Sequence, residues 1–238
     1  MNRLVWSDEF EYNGLPDPNK WSYDVGGHGW GNNESQFYTD SRLDNARVEN
    51  GKLIITCRKE VINNCLFSSA RLVTKHKGDW KYCRVEVRAK IPRGRGTWPA
   101  IWMLPTTNTY GIWPNSGEID IMEHVGFDHG RVHSAIHCEG YSHMKNNQKA
   151  NSTLVHRPDE ELHVYSLEWK LDKIKTFIDG KFNFEVVNDE RSWESWPFDH
   201  PFHLILNIAV GGAWGGAQGI DDAVFPQTME IDYVRIYQ

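Results

Sequence analysis

The chain has 238 residues, with 26 Lys and Arg against 32 Asp and Glu, and it carries 11 Trp, 9 Tyr and 10 Phe. A formal charge of −6 without basic runs argues against a nucleic-acid or anionic-membrane binder, and 39% hydrophobic residues with 24% charged argue against disorder. No stretch reaches the ~20 apolar residues of a membrane-spanning helix, so the open question is why the chain holds so much Trp.

Taken in chain order, the sequence opens on Met1-Asn2-Arg3-Leu4-Val5-Trp6, which has no apolar signal region. Strands are expected at residues 53–58 and 69–75. Residues 82–91 alternate: Cys83, Val85, Val87, Ala89 and Ile91 share one face, and Tyr82, Arg84, Glu86, Arg88 and Lys90 the other. Further strands are expected at 117–123, 132–138 and 163–169. Residues 174–178 and 181–184 flank Asp179-Gly180, a dipeptide suited to a type I′ turn, so they form a hairpin. Residues 202–210 are apolar except Asn207 and read as a central strand buried on both faces. Met229, Ile231, Tyr233 and Tyr237 alternate in the last strand. No segment of 12 or more residues shows a 3.6 period, and no repeat or linker interrupts the chain. The expectation is one all-β domain over residues 1–238, a sandwich or barrel. Cys57, Cys65, Cys83 and Cys138 form no C-x-x-C pair. They read as small apolar residues, and no disulfide pairing follows from the sequence.

The segment Gly117-Glu118-Ile119-Asp120-Ile121-Met122-Glu123-His124 is the most informative. On a regular strand Glu118 and Asp120 share a face, about 7 Å apart. Carboxylates this close raise one another's pKa, a cost that points to chemistry rather than to a solvated face. Glu123 lies an odd five residues from Glu118 and would face the other way. A one-residue β-bulge near Met122 would return it to the carboxylate face. Two Glu side chains leaning together could then approach the ~5 Å separation of a retaining glycosidase pair, with Asp120 tuning both.

These residues resemble the E-x-D-x-x-E signature of glycoside hydrolase family 16, in the form of its endo-β-1,3-glucanases. Further segments resemble family blocks in the right order: Trp6-Ser-Asp-Glu-Phe10, Gly31-Asn-Asn-Glu-Ser-Gln-Phe-Tyr-Thr39, Gly96-Thr-Trp-Pro-Ala-Ile-Trp-Met-Leu104, Asn207-Ile-Ala-Val-Gly-Gly-Ala-Trp214 and Ile231-Asp-Tyr-Val-Arg-Ile-Tyr237. The resemblance implies a β-jelly roll of two curved antiparallel sheets with a substrate cleft. It implies Glu118 as nucleophile, Glu123 as general acid/base, Asp120 as assisting carboxylate and His137 as a contact of the acid cluster. Cys83, Cys138 and the residues before His137 depart from the family pattern. The resemblance also implies a structural calcium held by Glu9, Gly51 and Asp232.

A sugar cleft needs aromatic platforms ringed by polar groups. Trp98, Trp102 and Trp113 precede the carboxylate strand and are expected in the cleft, as is Trp214; Trp214 and Trp30 lie in loops. Trp6, Trp80 and Trp169 are expected in the core. Arg88, Asn33, Gln36, Asn207 and Gln218 are the polar candidates; Asn207 stands out because an amide within an apolar strand needs a partner. His133 and His137 would sit ~13 Å apart on a strand, too far for one catalytic metal ion. The expected function is retaining endo-hydrolysis of β-1,3-glucan by an exported monomer. Mixed-linkage β-1,3-1,4-glucan, a galactan, and a non-catalytic glucan-binding module are the alternatives; the presence of all three acids weighs against the last.

Overall fold

Alternation at period two leaves each strand apolar on one face, and two sheets bury those faces against each other. The structure is a computed structural model describing residues 3–238. One sheet orders β16 (Lys181–Val187), β15 (Lys173–Ile178), β14 (His163–Trp169), β9 (Arg84–Lys90), β18 (Gln227–Tyr237), β5 (Lys52–Ile62), β6 (Cys65–Ser69) and β3 (Gln36–Tyr38). In the same sheet β1 (Leu4–Asp8) adds to β18 and β4 (Ala46–Glu49) to β5. The other sheet orders β13 (Lys149–Leu154), β12 (Arg131–His137), β11 (Glu118–His124), β10 (Thr97–Pro105), β17 (Phe202–Val210), β7 (Arg71–Val73) and β2 (Ser22–Tyr23), with β8 (Asp79–Trp80) on β17. Only two short 3-10 turns, and no α-helix, occur among the described residues. The architecture is the expected β-jelly-roll sandwich. One pairing departs from the antiparallel pattern: β3 runs parallel to β6.

Cys83, Val85, Val87, Ala89 and Ile91 are all buried, as their alternation requires, and all nine residues of β17 are buried. Each large apolar side chain so buried contributes roughly 1.5–3 kcal/mol. Trp80 and Trp169 lie in the core and Trp6 packs partly against it, as expected. All four cysteines are free thiols. Asp179 (φ 50°) and Gly180 (φ 74°) make the tight turn between β15 and β16. That hairpin holds a surprise, because Thr176 pairs with Phe184 but Phe177 pairs with Phe182, leaving Asn183 as an extra residue. The bulge exposes Phe182 and turns both Asn183 and Phe184 inward.

Candidate active site

β11 lies between β10 and β12, and its start depends on Gly117. This residue has φ +90°, and a Cβ there would sit 2.9 Å from the Phe198 ring and 3.1 Å from Pro197. The strand contains the bulge that the odd spacing demanded. Against β12, Asp120 pairs with Ala135 and Glu123 with His133, so Ile121 and Met122 together face Ser134. Against β10, Met122 pairs with Ile101 and Asp120 with Trp102, so Ile121 is the extra residue. Ile119, Ile121 and Met122 are buried between the sheets, while Glu118 and Glu123 keep partial exposure on the opposite, cleft face.

Each glutamate has its own indole donor. Trp113 Nε1 donates to Glu118 Oε2 at 2.9 Å, and Trp98 Nε1 donates to Glu123 Oε1 at 3.1 Å. The backbone N–H of His143 donates to His137 Nδ1 (3.4 Å), which places the ring proton on Nε2. That nitrogen lies 3.3 Å from Asp120 Oδ2 and 3.8 Å from Glu118 Oε1. The imidazole therefore serves the Glu118–Asp120 end of the cluster and favours negative charge there. Burial, then the charge of Asp120, pushes Glu118 up to about 8; burial, then the charge of Glu118, pushes Glu123 up to about 7. Asp120 is raised as well, by burial and then by Glu123. Glu118 and Glu123 thus titrate near neutrality beside a raised Asp120, as an acid/base device requires.

Aromatic walls flank the acids. Trp214 meets Trp98 edge-on at 5.5 Å and His133 at 4.9 Å. Gly215 permits this packing, since a Cβ there would lie 2.8 Å from Trp98 Cβ. Trp113, 38% exposed, opens onto a cavity of about 180 Å³ that reaches Arg71, Lys75 and His203. Trp102 Nε1 donates to Asn207 Oδ1 at 2.7 Å, and Asn207 Nδ2 donates to the Tyr38 hydroxyl at 2.9 Å.

The glycosyl hydrolases family 16 model matches residues 33–235. The chain belongs to this family. It is 54% identical to a β-glucanase of Rhodothermus marinus, over 99% of this chain and 85% of that one. It is 40% identical to the glucan endo-1,3-β-glucosidase A1 of Niallia circulans, again over 99% of this chain, but it spans only 38% of that longer protein. The X-ray structure of the laminarinase from Rhodothermus marinus superposes with a TM-score of 0.97 at 53% identity, covering 99% of this chain and 96% of that one.

Within this family-16 fold, several expected site residues stand elsewhere. Arg88 lies on β9 in the opposite sheet and donates to Asp232 Oδ2 at 2.7 Å, so it does not reach the cleft. Gln36 is fully buried: its Nε2 donates to Glu34 Oε2 (2.6 Å) and its Oε1 accepts from the Val210 N–H (2.7 Å), so it supports Glu34 instead of meeting a sugar. Asn207 is in the cleft floor, but its amide is committed to Trp102 and Tyr38. Asn33 is exposed in a left-handed turn (φ 56°). Gln218 is exposed on the loop after Trp214, where its carbonyl accepts from Arg95. The residues proposed for calcium do not fit an ion as arranged. Both Glu9 oxygens accept from Arg235 (3.0 and 2.8 Å), Asp232 holds Arg88, and Gly51 sits in the turn between β4 and β5. Among the described residues, the group that brings three metal-type ligand atoms within 4.8 Å of one another is Glu118, Asp120 and His137.

Two cleft residues were not anticipated. The Arg71 guanidinium is sandwiched between the Trp30 and Trp102 rings, 4.7 Å from each centroid, with Nε 3.0 Å from Asp24 Oδ2. Its signal was available, because an arginine inside a wholly buried strand needs a reason as much as Asn207 does. Glu34 is a second, largely buried carboxyl held by Asn32, Gln36 and Tyr38 and raised mainly by burial. Arg71→Met is expected to raise KM about 10-fold, the worth of one charge-assisted hydrogen bond, with a smaller effect on kcat. Initial rates against polymer concentration check this.

Proposed function

We propose that the chain is an endo-acting, retaining hydrolase of β-1,3-linked glucan. One observation carries this reading: Glu118 and Glu123 share a cleft face of one bulged strand, each under its own indole donor, with Asp120 and His137 at the Glu118 end. The printed names of its relatives, a β-glucanase, a glucan endo-1,3-β-glucosidase and a laminarinase, support the substrate class.

In the reactive form Glu118 is ionised, a state that the nearby imidazole N–H and the Trp113 donor favour against burial and the charge of Asp120, and it attacks the anomeric carbon. Glu123 gives its proton to the departing glycosidic oxygen. Glu123, now ionised, takes a proton from water, which displaces Glu118 and restores both groups with net retention. Stacking on Trp98, Trp102, Trp113 and Trp214 would hold the sugar faces. A polymeric substrate goes with a chain that works outside the cell as a monomer.

Product analysis on laminarin, lichenan and agarose tests the reading. Laminarin should yield short oligosaccharides, with the β-anomer formed first by NMR. Initial α-anomer would rule out retention, and cleavage of lichenan alone would overturn the linkage. The pH–rate profile should be bell-shaped and centred near neutrality, because both glutamates are raised out of the ordinary carboxylate range. Trp98's hydrogen bond lowers Glu123's pKa. Its removal in Trp98→Phe raises that pKa, so the limb of the profile that Glu123 sets should move to higher pH.

A further inference from the structure

The bulge that aims Glu123 into the cleft is tied from behind, through a polar seam in an otherwise apolar core. Ser134, fully buried on β12, is the single residue facing Ile121 and Met122. Its hydroxyl donates to the Ile121 carbonyl at 2.8 Å. It also accepts from Thr176 Oγ1 (3.0 Å) on β15 and from Asn183 Nδ2 (2.9 Å) on β16. One proton and two lone pairs are thereby all used. Asn183 is the extra residue of the second bulge, the one that turned it inward. Its Oδ1 accepts from Thr153 Oγ1 (2.7 Å), and its backbone carbonyl accepts from Asn151 Nδ2 (2.6 Å), both on the edge strand β13. Two bulges in opposing sheets thus meet through one serine.

Stability alone gives no reason for this seam, since apolar side chains of similar size in place of a buried hydrogen-bonded set are often neutral or stabilising. The Ile121 carbonyl, however, is backbone and cannot be substituted away. A bulge disrupts the ladder at the extra residue, and a buried carbonyl there needs a donor. Ser134 supplies it from the core side, in the strand that also carries His133 and His137 toward the cleft.

We propose that Ser134 is a positioning residue for the general acid: its hydroxyl holds the Ile121–Met122 bulge in the form that presents Glu123 to the glycosidic oxygen. This rests on Glu123 as acid/base. Displacing a catalytic group by about 1 Å costs on the order of 100-fold, so Ser134→Ala should lower kcat on laminarin about 10- to 100-fold while KM stays within about twofold. On a dinitrophenyl β-laminarioligoside, whose leaving group needs no proton, the loss in kcat/KM, which reports formation of the glycosyl-enzyme, should be much smaller. Thr176→Val removes a hydroxyl from the same seam but leaves the Ser134–Ile121 bond. It should lower Tm and keep the wild-type ratio of rates on the two substrates. Ser134→Thr and Ser134→Val, matched in shape, provide the comparison if the alanine variant does not fold; only the threonine variant should keep the wild-type ratio. Equal losses on both substrates, wild-type kcat in Ser134→Ala, or the same leaving-group dependence in Thr176→Val would overturn the proposal. Glu123→Gln, run alongside, separates the two levels. If it shows no leaving-group dependence, the assignment of Glu123 fails, whatever Ser134 does.

Discussion

Glu118→Gln is expected to lower kcat on laminarin by about 10⁴-fold or more, with KM little changed, because an amide cannot form the glycosyl-enzyme. Its shape and the Trp113 contact are retained, so binding should survive. The same substitution should stabilise the fold. Glu118 is raised from its ordinary value to about 8, mainly by burial. A raised carboxyl contributes its full stability below the unfolded-state pKa, and that contribution is lost as pH climbs through the folded value. A neutral glutamine never ionises there. The Tm advantage of Glu118→Gln should therefore widen from about pH 4.5 toward pH 8, which differential scanning calorimetry at several pH values measures. A Tm difference independent of pH over that window would mean that the carboxyl is not ionised against its surroundings. Active sites commonly trade stability for function in this way.

Glu123→Gln is expected to behave differently, although both residues are partly buried glutamates under an indole. Loss of general acid catalysis costs typically 10²- to 10⁴-fold, and the cost depends on how badly the leaving group needs a proton. Turnover of laminarin should collapse by that amount. Formation of the glycosyl-enzyme from a dinitrophenyl β-laminarioligoside should remain fast, so the intermediate accumulates and gives a burst. Added azide, which needs no general base to attack, should speed the second step and release a β-glycosyl azide. Equal losses on both substrates, with no burst and no azide effect, would remove Glu123 from the acid/base role. Reversed behaviour of the two glutamine variants would exchange the roles of Glu118 and Glu123.

Much of this was legible before any coordinates. Clean alternation marked residues 82–91, the apolar run marked Phe202–Val210, and Asp179-Gly180 marked its hairpin, because each is written in local sequence. The odd spacing of Glu118 and Glu123 was enough to require the β11 bulge. What failed depended on distant partners. Alternation gives Arg88 a polar face but does not say which sheet that face belongs to; its partner Asp232 lies 144 residues on. Glu9, which the resemblance assigns to calcium, finds Arg235 across 226 residues and pairs with its guanidinium. Gln36 belongs to a recognisable loop, yet only the fold shows that it turns inward to serve Glu34. Ser134 and Asn183 gave no signal at all, since bulges in two strands had to meet before either side chain had a task.

The two indoles over the carboxyls have a consequence for how this enzyme can change. Trp113 and Trp98 each present a ring to the cleft and an N–H to a glutamate proposed as nucleophile or acid. Any substitution that reshapes the floor for a different sugar also withdraws a donor and so retunes the acid or the nucleophile. Substrate preference and working pH are thus mechanically geared to one another at these two positions. Directed evolution toward a new glucan should find them hard to move singly, and variants that do move them should need a compensating donor elsewhere before they recover their original pH optimum.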